Sequence, residues 1–214
     1  MKEELFAIFG NPVSHSRSPL MHNYVFRKLG FSGVYARYLL EDGSKLKEKF
    51  LELKLSGANI TVPHKEDAFN ACDEIRGFAK EIGVVNTVIL ENGKLIGYNT
   101  DADGFMFSIS EYKNIKSVII LGAGGTAKAL SKKFLESGFD VTVANRTARR
   151  LEEYCSESYK KFTFDELSEY EFDLVVNSTS AGLSDESLPI QKDKLIKLFK
   201  NSSYCADVIY GKKT

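Results

Sequence analysis

Residues 117–150, SVIILGAGGTAKALSKKFLESGFDVTVANRTARR, constrain the fold of this chain more than any other stretch. The segment opens with a short apolar run, 118–121, of the length and β-branched content of a buried parallel strand. Gly122-Ala123-Gly124-Gly125-Thr126-Ala127 follows and fits G-x-G-x-x-G/A, with Ala127 in the last slot. In that pattern Gly122 allows the tight turn, Gly124 lets the backbone approach a pyrophosphate, and small Ala127 permits close helix–strand packing. Ala127, Leu130 and Phe134 then share one helical face, Gly138 closes the helix, and a second strand begins at Asp140. Glycine-rich loops are common, but one placed between a strand and a helix, with a second strand at this distance, predicts a dinucleotide-binding βαβ unit.

The end of the second strand indicates which dinucleotide. An NAD site carries Asp or Glu there for the ribose 2′-hydroxyl. This chain has Asn145-Arg146-Thr147, with Arg149 and Arg150 close behind. Guanidinium groups donate in pairs to phosphate oxygens and therefore suit a 2′-phosphate. A merely solvated cluster of cations would sit poorly at the start of a helix, where the dipole is positive. NADP is the cofactor expected.

The 214 residues suffice for one large domain or two small ones. Lys plus Arg and Asp plus Glu both total 29, so no global attraction to nucleic acid or to an acidic membrane is expected. No apolar run approaches a membrane span, and MKEELFAIFG reads as a strand, not a signal peptide. Cys72, Cys155 and Cys205 are scattered, with no C-x-x-C pair and no histidine cluster. They are expected as reduced, buried-type thiols of a cytoplasmic protein, with neither a disulfide frame nor a metal site.

Along the rest of the chain, 5–9 reads as a first strand ending in Gly10-Asn11-Pro12. A hydroxyl-rich loop, 13–18, runs into a helix with Ser18 as N-cap, Pro19 at its first position and Gly30 at its end. Met21, Val25 and Leu29 are its expected inner face. A helix N-terminus flanked by serine hydroxyls is a natural receptor for a small carboxylate. Capping and loop decoration explain Ser18 and Ser16 equally well. Further strands are expected at 34–39, 57–62 and 82–90, with helices at 44–55 and 64–73. Lys65 stands in the first turn of the latter, against the helix dipole, which suits a lysine acid/base. An ordinary solvated lysine is the plainer alternative, and His64 beside it reads as a packing residue. Asn92-Gly93 predicts a hairpin returning through 94–98. Asp101 opens a helix linking the halves, and on its own reads as an N-cap. After the dinucleotide unit come a helix to about 157, a strand near 162–163, a helical turn near 165–169, and strands at 172–177 and 204–209. The polar ends of these last two strands are expected to line the cofactor crevice, because ligands of open α/β sheets lie at strand carboxyl ends.

Taken together, GNPVSHSRSP, GANITVPHK, VVNTV with GYNTD, GAGGTAKAL, ANRTARR, NSTSAG and ADVIYGKKT resemble the shikimate dehydrogenase family, in the family's order and over nearly the whole chain. The resemblance implies two α/β domains. Residues 1–100 would form a substrate-binding and catalytic domain with a mainly parallel sheet. Residues 101–214 would form a Rossmann NADP-binding domain, facing the first across a cleft. It implies NADPH-dependent reduction of 3-dehydroshikimate to shikimate in aromatic amino-acid biosynthesis, by a monomer or homodimer. By matching position, Ser16 and Ser18 would hold the substrate carboxylate, with Thr61 and Tyr210 nearby. Asn59 and Asn86 would bind ring hydroxyls, and Lys65 and Asp101 would be the catalytic pair. Gly122, Gly124, Gly125 and Ala127 would meet the pyrophosphate. Asn145, Arg146, Thr147 and Arg150 would hold the 2′-phosphate, and Thr179 and Val208 would lie along the nicotinamide.

The family pattern continues past GKKT with helices that return to the first domain and supply a glutamine to the substrate, whereas this sequence stops at Thr214. A protein truly ending there is expected to lack one substrate ligand. Two other readings compete. One is a relative that also takes quinate or NAD, which the Ser16/Ser18 pair and Arg146 argue against. The other is a noncatalytic NADP-binding regulator, which would be expected to lack the Lys65–Asp101 pair. Methylene-tetrahydrofolate dehydrogenases and glutamyl-tRNA reductases share the NADP-domain pattern, but SHSRSP and its helix cap fit them poorly.

Overall fold

A computed structural model describes residues 3–182 and 185–209. The chain divides into two compact units, Met1–Thr100 and Asp101–Thr214. In the first, β1 (Glu4–Gly10), α1 (Ser18–Leu29), β2 (Gly33–Leu39), α2 (Leu46–Glu52), β3 (Gly57–Ile60), α3 (Lys65–Ala71), β4 (Glu74–Ile75), α4 (Ala79–Ile82), β5 (Thr87–Glu91) and β6 (Lys94–Tyr98) follow one another. The sheet has the order β2-β1-β3-β5-β6-β4. Its pairings β1 with β2, β1 with β3 and β4 with β6 are parallel, and β5 runs antiparallel to β3 and β6. Ala7, Phe9, Ala58, Ile60 and Val88 on one face pack with Leu46, Phe50 and Ala68 of the helices. On the other face Ile8 and Tyr35 pack with Phe6 and Phe26. Asn92 and Gly93 both have positive φ, 51° and 75°, the geometry of the tight hairpin turn expected there.

The second unit contains α5 (Asp101–Ser108), β7 (Ser117–Leu121), α6 (Gly125–Glu136), β8 (Asp140–Asn145), α7 (Ala148–Leu151), β9 (Tyr159–Thr163), β10 (Leu174–Asn177), α8 (Lys192–Lys200) and β11 (Tyr204–Asp207). All its pairings are parallel, in the order β11-β10-β7-β8-β9. The strand order reverses between β7 and β10, which makes a topological switch point at their carboxyl ends. Val118, Ile120, Val141 and Val143 face Ala127, Leu130 and Phe134, while Ile119, Leu121 and Val175 face Leu195 and Leu198. Helices on both faces explain why β7 is apolar without alternation. No described helix is long and apolar enough to cross a membrane.

Several expectations are corrected. Met21, Val25 and Leu29 lie outward, at 57%, 42% and 76% exposure, instead of forming the inner face of α1. Polar contacts set the helix rotation. Asn23 donates to Tyr35 O at 2.8 Å and accepts from Tyr35 N at 2.9 Å, and the His22 ring stacks on Tyr35 at 4.3 Å. The cap of α1 is Arg17, and Ser16 Oγ accepts from Ser18 N at 3.2 Å, so Ser18 is the first helical residue. The helix expected over 44–55 is a 3₁₀ turn, Gly43–Lys45, followed by the shorter α2. The strand expected over 82–90 begins only at Thr87, because Gly83 (φ 70°) ends α4 and Val85 N donates to Lys65 O instead of to a strand neighbour. The helix expected to about 157 stops at Leu151, where Tyr154 N turns back to Leu151 O. Near 165–169 there is one turn, closed reciprocally by Thr163 and Glu166. Cys72 alone is half-buried, its thiol pushed up to about 11 by burial, and Cys155 and Cys205 are exposed instead of buried. β4, α4 and α8 had no counterpart in the sequence reading.

Asp173, just before β10, accepts from Ser117 N at 2.9 Å, Lys116 N at 2.8 Å and Ser117 Oγ at 3.0 Å. The Ser117 backbone N–H first, then that of Lys116, holds its carboxyl below the usual aspartate range. A depressed folded-state value stabilises the fold above the ordinary range, and that stabilisation is lost as pH falls through the folded-state value. Asp173→Ala is therefore expected to lower Tm at neutral pH. The gap from the parent should close on acidification below the ordinary aspartate range, read by thermal unfolding.

Candidate active site

In the first unit the register aligns Phe9 with Ile60, Asn59 with Thr87, and Thr87 with Tyr98. The carboxyl ends of β1, β3 and β6 and the start of β5 therefore share one edge of the sheet. The chain leaving β1 is pressed onto Thr61. A Cβ at Gly10 would clash with Thr61 Cγ2, and Thr61 N donates to Phe9 O at 2.8 Å. Thr61 itself is half-buried. Ser16 is 2% exposed, and its hydroxyl donates to Ser18 Oγ at 3.2 Å. Arg37 Nε holds the loop by donating to Ser16 O at 2.8 Å. With Ser16 committed to Ser18, the half-buried Ser18 hydroxyl is the one placed to donate onward to an anion.

Lys65 is 9% exposed at the first position of α3. Glu66 and Asp67 in the same turn offset the positive end of the helix dipole that a lone cation would meet there. His64 packs, as the sequence suggested, at 3% exposure. Its Nε2 lies 2.7 Å from Leu40 O and its Nδ1 3.0 Å from Asp67 Oδ2. Asn86 is 7% exposed, its Oδ1 accepting from Thr100 N at 3.0 Å and from Thr87 Oγ1 at 2.9 Å. This fixes the backbone one residue before Asp101, which is half-buried as the first residue of α5.

In the second unit Gly122 has φ 111°, and its N–H donates to Ala144 O at 2.8 Å. A Cβ there would meet Ser178 Oγ at 3.0 Å and Thr179 Cγ2 at 3.2 Å, so conformation and space both require glycine. A Cβ on Gly124 would meet nothing within 4 Å, which leaves the backbone open on that side. Gly125 opens α6, and Ala127 is fully buried beneath it. The first-turn N–H groups of α6, with open backbone at Gly124, fit a pyrophosphate by donor chemistry. At the end of β8, Asn145 Nδ2 donates to Thr147 O at 3.0 Å. Arg146, Thr147, Arg149 and Arg150 are all exposed there, and Arg150 lies 3.8 Å from Glu153. This guanidinium group set fits a phosphate monoester.

Three residues around this loop escaped the sequence reading as individuals. Ser178 Oγ donates to Leu121 O at 3.0 Å, behind Gly122. Asn177 Nδ2 donates to Asp207 Oδ1 at 3.1 Å, and Asn177 Oδ1 accepts from Thr179 N and Oγ1 at 3.1 and 2.8 Å. Asp207 Oδ1 also accepts from Ile209 N at 2.8 Å, and Val208 N donates to Asn177 O at 3.0 Å. Thr179 and Val208 are thus held by the polar residues that close β10 and β11. A polar residue ending an apolar strand was the available signal. In the first unit Tyr35, Thr87 and Thr100 were missed in the same way. Tyr210 lies outside the described residues.

A family model described as the shikimate dehydrogenase substrate binding domain matches residues 8–88, and one described as shikimate / quinate 5-dehydrogenase matches residues 107–203. The shikimate dehydrogenase (NADP(+)) of Helicobacter hepaticus is 46% identical over 211 residues, 98% of this chain and 78% of that relative. The chain belongs to the shikimate dehydrogenase family. Solved members of the family share its architecture. Shikimate dehydrogenase 1 of Peptoclostridium difficile, 30% identical, has a TM-score of 0.84 over 97% of this chain and 78% of its own. The shikimate 5-dehydrogenase of Thermus thermophilus, solved in complex with NADP(H) and shikimate, is 33% identical with a TM-score of 0.83, covering 97% and 79%.

Proposed function

We infer that this member of the shikimate dehydrogenase family catalyses the reversible, NADP-dependent reduction of 3-dehydroshikimate to shikimate. One observation carries the inference most directly. The chain that aligns at 46% identity with an NADP-dependent shikimate dehydrogenase gathers hydroxyls, amides and a buried lysine at one sheet end of the first unit. It also sets a glycine loop at the switch point of the second.

NADP, when bound, supplies the hydride chemistry. Ser16 and Ser18 receive the substrate carboxylate, with Ser16 orienting Ser18 through their 3.2 Å hydrogen bond. Asn59 and Asn86 receive ring hydroxyls, and Thr61 and Tyr210 are assigned beside the carboxylate from their sequence positions. In the oxidation direction, Lys65 and Asp101 take up the proton that leaves the substrate hydroxyl, and in reduction they return it. Gly122, Gly124, Gly125 and Ala127 shape the pyrophosphate loop. Asn145, Arg146, Thr147 and Arg150 bind the 2′-phosphate, and Thr179 and Val208 flank the nicotinamide. As a biosynthetic activity drawing on NADP, it is placed in the cytoplasm.

The test is the initial rate of NADP⁺ reduction by the full-length protein with shikimate, then with quinate, then with NAD⁺ in place of NADP⁺. Turnover that depends on shikimate and NADP⁺ together is expected. Equal rates with quinate or NAD⁺ would replace this reading with the relaxed-specificity one. Binding of both ligands without turnover would favour the noncatalytic regulator.

A further inference from the structure

The amide of Asn59 does not stand alone. The Tyr35 ring is 4% exposed and wedged between β1, α1 and the stacked His22 ring, whose pKa is lowered by its own burial. Its backbone is held on both sides by Asn23. From that fixed position Tyr35 OH donates to Asn59 Oδ1 at 2.6 Å. Asn59 Nδ2 then donates to Thr87 Oγ1 at 3.2 Å and points toward Asn86 O at 3.5 Å, an oxygen that can only accept. Because Thr87 Oγ1 accepts a hydrogen bond from Asn59, its own hydrogen goes to Asn86 Oδ1 at 2.9 Å. Asn86 Nδ2 in turn donates to Thr100 Oγ1 at 3.1 Å.

From the buried phenol to Asn86 these bonds run in one direction, and Asn86 Oδ1 also accepts from Thr100 N and Thr100 Oγ1 at 3.0 and 3.3 Å. We propose that Tyr35 is a positioning residue that sets the polarity of the chain Tyr35–Asn59–Thr87–Asn86, so that Asn59 meets a substrate hydroxyl only as an acceptor. Both Nδ2 hydrogens of Asn59 are committed inside the unit, and Oδ1 keeps one lone pair beyond the Tyr35 bond. An Asn side chain has no intrinsic preference between its two orientations. A donor from the protein must choose for it, and Tyr35 is the group whose own orientation is locked by packing. The ligand hydroxyl read here must then donate, so a site organised this way discriminates against a group that cannot.

This proposal rests on the placement of Asn59 in the substrate site, and the test separates the two. Tyr35→Phe removes one hydroxyl from an otherwise unchanged ring, and Thr87→Val removes the next link at nearly constant shape. In the full-length enzyme each is expected to raise the shikimate KM by roughly 3- to 10-fold, the worth of one hydrogen bond. The NADP⁺ KM should be unchanged. The double variant should lose less than the product of the singles, because both break one chain. An unchanged shikimate KM in Tyr35→Phe, both KM values moving together, or effects that simply multiply would overturn the proposal. Asn59→Ala is the control. If it too leaves the shikimate KM unaltered, the placement of Asn59 fails. If it alone raises the KM, the role of Tyr35 fails and the placement stands.

Discussion

Replacing Lys65 by alanine is expected to lower turnover of shikimate by about 10²- to 10⁴-fold, the usual worth of a positioned acid/base, with NADP⁺ affinity nearly unchanged. The side chain is 9% exposed at the N-terminus of α3, so its truncation also removes packed methylenes. Lys65→Met keeps that length and deletes only the ammonium. The two variants should therefore lose activity alike. Recovery of turnover in Lys65→Met would mean that the lysine only fills space. The backbone around it is fixed from outside the side chain, by Val85 N on Lys65 O and by the His64 ring against Leu40 O and Asp67. Lys65→Met should leave this frame and its packing standing, so its thermal unfolding should shift little while turnover collapses.

Arg146→Asp is expected to raise the NADP⁺ KM by roughly 10- to 100-fold, since a hydrogen bond to a charged group is worth about 1.5–3 kcal/mol. The NAD⁺ KM should move little. Arg146 is exposed at the end of β8, beside the strand whose end opens the glycine loop, and the β7 and β8 ends are adjacent through Leu121 and Ala144. An aspartate there would repel the 2′-phosphate and suit a ribose hydroxyl. Arg150 lies within 3.8 Å of Glu153, so the same change at Arg150 should cost less. Equal losses with both dinucleotides would remove Arg146 from the 2′-phosphate site.

The parts of this protein legible in its sequence are those whose information is local. The β7–α6–β8 unit was read because a strand run, a glycine turn and a helix period follow each other within 30-odd residues, and Gly122 shows its positive φ of 111° where the turn demanded one. The hairpin at Asn92-Gly93 was equally local. What failed was set by contacts distant along the chain. An apolar stripe at Met21, Val25 and Leu29 argued one rotation of α1, and Asn23, bonded to the backbone of Tyr35, imposed another. Val84-Val85-Asn86 has strand composition, yet Val85 N donates to Lys65 O outside the sheet, and β5 begins only at Thr87.

The site followed the same division. Its glycines and serines stood out as motifs, whereas the residues that hold them did not. Tyr35 reaches Asn59 across 24 positions, and Asn177 reaches Asp207 across 30. A tyrosine in a strand and an asparagine at a strand end carry no periodicity that would mark them. Their roles emerge only once parallel pairing places β1, β2 and β3, or β10 and β11, side by side.

One assignment underlies every role given above: the two polar sheet ends receive the two reactants. It is tested most directly by following the backbone amide resonances of the full-length protein during titration, first with NADP⁺ and then with shikimate. NADP⁺ should move the amides of 122–127 and 145–150, and shikimate those of 16–18, 59–61, 65 and 86. Shifts confined to other surfaces, or the same set moving with either ligand alone, would contradict the claim.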